Sequence, residues 1–370
     1  MVSTIDSSID SPAAARTGKQ GIWGVKRSEL DSLCRDTGVS IEHSRSLFRG
    51  IYKESLSAPW QREGIPHRLR DAVSDRYDVS HLTIIERRLS QYDGSVKFLL
   101  EAPDKSQIEM VLMPESSRVT LCVSSQYGCA QGCVFCHTGR MGLRRNLSAA
   151  EIVDQVLIAN KWIADHPNWL DEQRLPPTQM ITNIVFMGMG EPLDNVPAVS
   201  AAISILTDPY GLNMAMRRIS VSTSGHLDGL NALIADHPDA RLAISVHSPY
   251  ENERTKIMPI NRRWPLSTVI EALRNLPTQQ KNGVLLQYTL IRGVNDSVAH
   301  AHELIRLVSG LNCKINLIPL NPVGPSRLTG PDLESLEAFR DEIYKSGLRV
   351  MVRYSKGQDI AAACGQLVRS

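Results

Sequence analysis

The hydrophobic pattern divides the chain into three stretches. Residues 1–20 are rich in Ser, Asp and Ala and carry no apolar period, which predicts a disordered tail. From 28 to about 77 the pattern is helical, with Leu30, Leu33, Ile41, Leu47 and Phe48 as apolar positions and Gly38, Pro59, Gly64 and Pro66 as breaks. Residues 21–90 therefore read as a small N-terminal helical accessory domain. Runs at 96–102, 108–113 and 119–124 read as strands, entered through a turn at Gln91-Tyr92-Asp93-Gly94. Beyond them the pattern alternates. Helices are predicted at 148–164, 196–206, 227–234, 266–276, 297–308 and 333–345. Strands are predicted at 181–187, 218–223, 242–246, 284–291, 315–319 and 350–354. Ser148 and Glu151 supply a capping box for the first of these helices.

Repeated β–α units imply a parallel sheet with helices outside it. Six or seven units are too few for the closed eight-stranded barrel. The fold class is α/β: a partial (β/α) barrel over 91–370, with a short β-rich lead-in that connects it to the helical accessory domain. Chemistry in such a fold lies at the C-terminal ends of the strands. Four motifs fall there: Gly188-Met189-Gly190-Glu191, Ser222-Thr223-Ser224-Gly225, Ser245-Val246-His247, and Asn321.

Composition narrows the function. The 370 residues carry 41 basic and 39 acidic side chains, a net charge of +2. RNA contact, if any, must come from local patches. Candidates are Arg45, Arg49, Lys53, Arg62, Arg68 and Arg70, equally readable as a solvated helix face, and the run Arg140-Met141-Gly142-Leu143-Arg144-Arg145, where RNA contact is favoured over a solvated turn. No apolar run approaches the roughly 18–20 residues that span a bilayer, and the polar N-terminus is unlike a signal peptide. A cytosolic location is expected. Seven cysteines in such a protein argue against a disulfide framework and for metal binding or redox chemistry.

Three of the cysteines form Cys129-Ala-Gln-Gly-Cys133-Val-Phe-Cys136. Structural zinc wants four ligands, and the adjacent His137 is awkwardly placed as a fourth. Three thiolates on a tight loop suit a 4Fe–4S cube with one iron left open. Cys34 and Cys313 read as buried small hydrophobes.

C-x3-C-x2-C just past the first barrel strand resembles the signature of the radical S-adenosylmethionine superfamily. The resemblance implies a 4Fe–4S cluster on Cys129, Cys133 and Cys136 that binds and reductively cleaves S-adenosyl-L-methionine, with Phe135 near the adenine and Gly190-Glu191 at the methionine amino group. Cys122-Val-Ser-Ser-Gln before the cluster and Ala363-Cys364-Gly-Gln-Leu367 near the C-terminus narrow it further. Together they resemble the radical methyltransferases that modify adenine in bacterial ribosomal and transfer RNA (the RlmN and Cfr group). Matching segments run from about 25 to 367 and include Arg145-Asn146-Leu147, Pro259-Ile260-Asn261-Arg262 and Gly293-Val294-Asn295-Asp296.

That resemblance implies two S-adenosylmethionine molecules per turnover. Cys364 takes a methyl from one; the radical from the other activates that methyl, which adds to the base; Cys122 then attacks the Cys364 sulfur, forming a disulfide as the adduct resolves. It further implies Glu109 as proton acceptor, and Gly190, Glu191, Ser222, Ser245, Val246, His247 and Asn321 as contacts to S-adenosylmethionine. Expected partners are ribosomal RNA, transfer RNA and an electron donor such as flavodoxin; a monomer and no membrane are expected. The expected target is adenine C2, with C8 as the alternative. A radical enzyme acting on protein or a small molecule, and a zinc-stabilised RNA-binding protein, are the readings from other classes. Gln358 departs from the acidic residue or Ser common at that position of the C-terminal motif, and the N-terminal helical region matches only loosely.

Overall fold

The computed structural model describes residues 19–54, 58–169, 180–276, 283–321 and 327–367. Most of the predicted tail lies outside them. Its last two residues are held: the Lys19 ammonium donates to the Ser74 carbonyl at 2.6 Å, and β1 (Gln20–Gly21) pairs in parallel with β2 (Tyr77–Asp78).

Three helices follow the predicted helical period: Arg27–Asp36, Glu42–Tyr52 and His67–Arg76. Each buries one stripe, made of Leu30, Leu33 and Cys34, then Leu47, Phe48 and Ile51, then Leu69 and Val73. They are fastened to the rest of the chain by specific bonds. Arg27 pairs with Asp208 at 3.0 Å. Buried Asp154 accepts from the Leu82 amide at 2.6 Å and faces the His81 ring, which stacks on Trp23.

The strands build a ten-stranded sheet. Its members are β3 (Thr83–Leu89), β4 (Val96–Glu101), β5 (Gln107–Glu115), β6 (Arg118–Val123), β9 (Asn183–Phe186), β10 (Ile219–Thr223), β11 (Arg241–Ser245), β12 (Val284–Leu290), β13 (Cys313–Pro319) and β14 (Arg349–Val352). The order is β14-β13-β12-β11-β10-β9-β6-β5-β4-β3. From β6 to β14 neighbouring strands are parallel; β3, β4 and β5 add antiparallel. The interior parallel strands are largely buried on both faces, as in Val284–Leu290, because helices cover one side and the barrel interior lies on the other. Among the described residues the sheet stays open between β3 and β14, as a partial barrel requires.

Strand β3 lies where no strand was predicted. All seven of its residues are exposed, so it has no buried face to leave a period in the sequence. The hairpin of β7 (Gln126–Cys129) and β8 (Gly142–Asn146) was also unpredicted; it brackets the cysteine loop, pairing Cys129 with Gly142.

Helix Ala149–Asp165 carries the predicted capping box: the Glu151 amide donates to Ser148 Oγ at 3.2 Å, and the Ser148 amide donates back to Glu151 Oε2 at 2.8 Å. It also anchors the end of β6. Fully buried Gln155 accepts from the Ser124 amide at 2.9 Å and donates to the Ser124 carbonyl at 3.0 Å. Gln155→Leu strips two buried backbone groups of partners, each worth about 1–3 kcal/mol. We expect a loss of about 2–4 kcal/mol, read as a lower urea midpoint at unchanged m-value.

Candidate active site

The cysteine loop sits in the mouth of the sheet. One cleft of about 160 Å³ is lined by Cys129, Cys133 and Cys136, by Gly190 and Glu191 after β9, by Ser222 on β10, by Ser245 and His247 at the end of β11, and by Asn321 and Cys364. The chain thus brings almost all the predicted contacts to one rim. Val246 is the exception. It is fully buried and does not line the cleft, because successive residues at a strand end point to opposite sides.

Each group on the rim has a reason for its orientation. Gly190 holds φ 99°, and a Cβ there would lie 2.5 Å from Gln126 Cβ; the turn after β9 therefore admits only glycine. The Glu191 carboxylate is buried and accepts from the amide and hydroxyl of Ser224 at 2.8 and 2.7 Å and from the Leu193 amide at 3.1 Å. Burial pushes its carboxyl pKa up against those bonds. His247 is held at φ 57°, a strained conformation for a non-glycine residue. Its Nδ1 accepts from the Thr289 amide at 2.8 Å, which leaves the proton of the neutral ring on Nε2. Burial lowers its pKa to about 3, so it stays neutral. Phe135 packs edge-on against it at 4.8 Å between centroids.

Arg254 was not anticipated. It lies on the helix Glu251–Ile257 and is wholly buried. Its guanidinium donates to the carbonyls of Ser224 (2.7 Å), Ser245 (2.9 Å) and Val246 (3.0 Å), and to Asn261 Oδ1. It thus ties the ends of β10 and β11 together. Burial lowers its pKa to about 10, which still leaves a cation at neutral pH. In sequence it reads as one charge among Glu-Asn-Glu-Arg-Thr-Lys, the pattern of a solvated helix.

Among the described residues, no group of three His, Cys, Asp or Glu side chains converges to hold a single metal ion. The three cysteine thiols are instead spread around the cleft. Burial raises the pKa values of all three, to about 12 for Cys129 and further still for Cys133. Three soft sulfur donors around a shared cleft fit a multi-iron cluster, and loading it must displace thiol protons.

Cys364 stands at the junction of this cleft and a second, narrow one of about 20 Å³ lined by Cys122, Val185, Met187 and Arg353. It is exposed, and its neighbours are fixed. Asn321 Nδ2 donates to the Cys364 carbonyl at 3.2 Å, the His137 amide to the Gly365 carbonyl at 2.8 Å, and Thr138 Oγ1 to the Leu367 carbonyl at 2.7 Å. Gln358, the departure noted above, reaches Asn321 Oδ1 at 3.5 Å.

No Cys122–Cys364 disulfide is present in this structure: both are free thiols, and the bond expected as the adduct resolves belongs to turnover. Cys122 is buried, and desolvation pushes its pKa to about 12, which keeps it protonated and weakly nucleophilic at rest. Cys34 and Cys313 are buried as expected. Glu109 lines neither cleft; it is buried in an ion pair with Lys97 at 2.9 Å.

The basic patches divide. Arg145 is buried, paired with Glu151 at 2.8 Å and Asp104 at 2.7 Å, and stacked on Tyr127; it supports the hairpin and is closed to RNA. Arg140 donates to the Val134 carbonyl at 2.6 Å, while Arg144 is exposed. In the helical region Arg45 pairs with Glu42, Arg62 pairs with Glu54, and Arg70 donates to the Ile65 carbonyl. Arg49, Lys53 and Arg68 remain exposed.

The thiol contrast gives a direct expectation. At pH 8 only about one Cys122 in 10⁴ is thiolate, from its pKa of about 12. Iodoacetamide should alkylate exposed Cys364 well before Cys122 in the folded protein, by peptide mass spectrometry. Cys122 labelling should rise about tenfold per pH unit. Equal labelling at pH 8 would contradict the burial argument.

Comparison with known proteins agrees with this geometry. Residues 123–305 match the model of the radical SAM superfamily. A curated protein of Campylobacter lari, "Dual-specificity RNA methyltransferase RlmN", is 39% identical over 360 residues, covering 92% of this chain and 98% of the relative. One of the same name from Azorhizobium caulinodans is 37% identical over 378 residues, covering 98% of this chain and 92% of the relative. The crystal structure of a radical SAM methyltransferase from Sphaerobacter thermophilus superposes with a TM-score of 0.84 at 38% identity, covering 94% of this chain and 99% of that one. With a cysteine-lined cleft at the strand ends and near-full-length similarity to these proteins, the chain belongs to the RlmN family of radical S-adenosylmethionine RNA methyltransferases.

Proposed function

We propose that the protein methylates C2 of adenine in ribosomal RNA, and in transfer RNA as well, through a methyl group carried on Cys364. The observation that carries this reading is the position of Cys364. Its side chain lines both the cleft of Cys129, Cys133 and Cys136 and the pocket of Cys122. A carrier of this kind must meet the site where the radical forms and the thiol that releases it.

Cys129, Cys133 and Cys136 would hold a 4Fe–4S cluster, which when loaded supplies the electron that cleaves S-adenosylmethionine. Around it, Glu191 offers a buried carboxylate for the methionine ammonium. Ser222, Ser245, His247 and Asn321 offer hydroxyl, imidazole and amide groups for the remaining polar atoms. Neutral His247 can donate through Nε2 without adding a charge. The Cys364 sulfur takes the methyl by displacement, and the same carbon later bonds to the base. Cys122, buried beside it, is the thiol that attacks the Cys364 sulfur and frees the product. Glu109 is proposed to accept the proton that the base gives up. A flavodoxin-type donor would supply the electron, and the exposed side chains of Arg49, Lys53, Arg68, Arg140 and Arg144 are the cations offered to RNA phosphates. The expected setting is the cytoplasm; among the described residues no helix is long and apolar enough to cross a membrane.

Two measurements test this. Adenosines from ribosomal and transfer RNA of cells with and without the protein should differ by 2-methyladenosine on mass spectrometry; 8-methyladenosine in its place would move the reaction to C8. Cys122→Ala should accumulate RNA covalently bound to the protein, while Cys364→Ala should bind no RNA covalently and retain about four irons per chain after anaerobic loading. Full methylation by Cys122→Ala with no cross-linked RNA would remove Cys122 from the reaction.

A further inference from the structure

Lys97 is a lysine in an unusual place. Its side chain is 5% exposed and its Nζ lies 2.9 Å from Glu109 Oε1, itself 2% exposed. The same ammonium donates to the Ala361 carbonyl at 3.2 Å. Ala361 is three residues before Cys364 and holds φ 51°, a left-handed conformation that costs a non-glycine residue energy and needs external support.

Strand register explains how these groups meet. Lys97 on β4 stands opposite Val111 on β5, and Val111 stands opposite Cys122 on β6. Directly opposed residues project to the same face of a sheet. Glu109 is two residues from Val111 and so shares that face. Lys97, Glu109 and Cys122 thus project together toward the segment that carries Cys364. The turn before β4 grips the same segment: the Gly357 amide donates to Asp93 at 2.8 Å, and Asp359 accepts from Ser90 Oγ at 2.8 Å and from the Gln91 amide at 3.0 Å.

A buried ion pair is a poor device for stability alone. Desolvating both charges cancels most of their attraction, and an apolar pair of similar volume serves as well or better. Its particular geometry, bonded at one end to a carboxylate and at the other to the backbone of the cysteine segment, serves placement. We infer that Lys97 is a positioning residue of the reaction, bridging the Glu109 carboxylate to the segment that bears Cys364 so that the two are held as one unit. This rests on the function proposed above.

The test uses the full chain, loaded with iron and sulfide under anaerobic conditions, with deproteinised large-subunit ribosomal RNA and S-adenosylmethionine. Lys97→Met should still carry a methyl on Cys364, read by intact-protein mass. Its kcat on RNA should fall by about 10²-fold, the scale of a lost acid–base group, at little change in KM. Glu109→Gln should behave alike. The double variant Lys97→Met/Glu109→Gln should be no slower than either single, because the two act as one unit. The double variant strands no buried carboxylate, so it carries the test if Lys97→Met does not fold: methylated Cys364 with lost transfer is again expected. Independent, multiplying losses would overturn the inference. So would wild-type kcat in Lys97→Met, or loss of Cys364 methylation in step with RNA turnover in a folded variant. A wild-type enzyme that leaves the RNA unmodified would instead sink the functional reading itself, and this inference with it.

Discussion

The return of the C-terminal segment onto the cysteine loop is the constraint on which the site depends. Thr138 and Leu367 are 229 residues apart in sequence and share a hydrogen bond of 2.7 Å. The amide of His137, next to Cys136, is closed on the Gly365 carbonyl at 2.8 Å. These are bonds to backbone carbonyls, so they set the path of the chain and leave the Cys364 side chain open. The whole β–α sequence between them acts as a spacer whose curvature decides where the two ends meet. An open sheet of parallel strands bends far enough to present its last segment to its first, and leaves the interior accessible.

Burial then sets the chemistry within that closure. Taking thiols out of water raises the pKa values of Cys122 and Cys129 to about 12. The cleft in this state is accordingly a site of neutral thiols near one buried cation, Arg254. Among the described residues that cation forms no ion pair with a carboxylate; its donors go to strand-end carbonyls and to an amide. Holding carbonyls this way spends the charge on geometry, and it keeps the rim of β10 and β11 in register with the cysteine loop, whose Val134 amide donates to the Ile257 carbonyl on the same helix.

Much of this was legible in the residues. Buried parallel strands and amphipathic helices leave a strong periodic trace, and Ala149–Asp165 and Val284–Leu290 fall where that trace puts them. What left no trace has a common physical cause. Thr83–Leu89 is exposed on all seven residues. The β7–β8 hairpin is short and is held by the cysteine loop between its strands. Arg145 and Arg254 look like surface charges because their burial is made tolerable by partners that no local period marks, Asp104 and Glu151 for one and the β10–β11 rim for the other. Val246 falls off the cleft by strand parity alone.

The residues by themselves determined the class of fold, the spacing of three thiols on one loop, and the presence of two further cysteines that a cluster does not need. Local spacing and apolar period suffice for those, since each is a property of neighbours in the chain. Tertiary structure decided everything that depends on distant partners. It put Cys364 between the cleft and Cys122, kept Cys122 a buried, protonated thiol, paired Glu109 with Lys97 outside both clefts, and made Arg145 a support of the hairpin. A buried charge is possible only where its partner arrives from elsewhere in the fold, and no local pattern records that arrival.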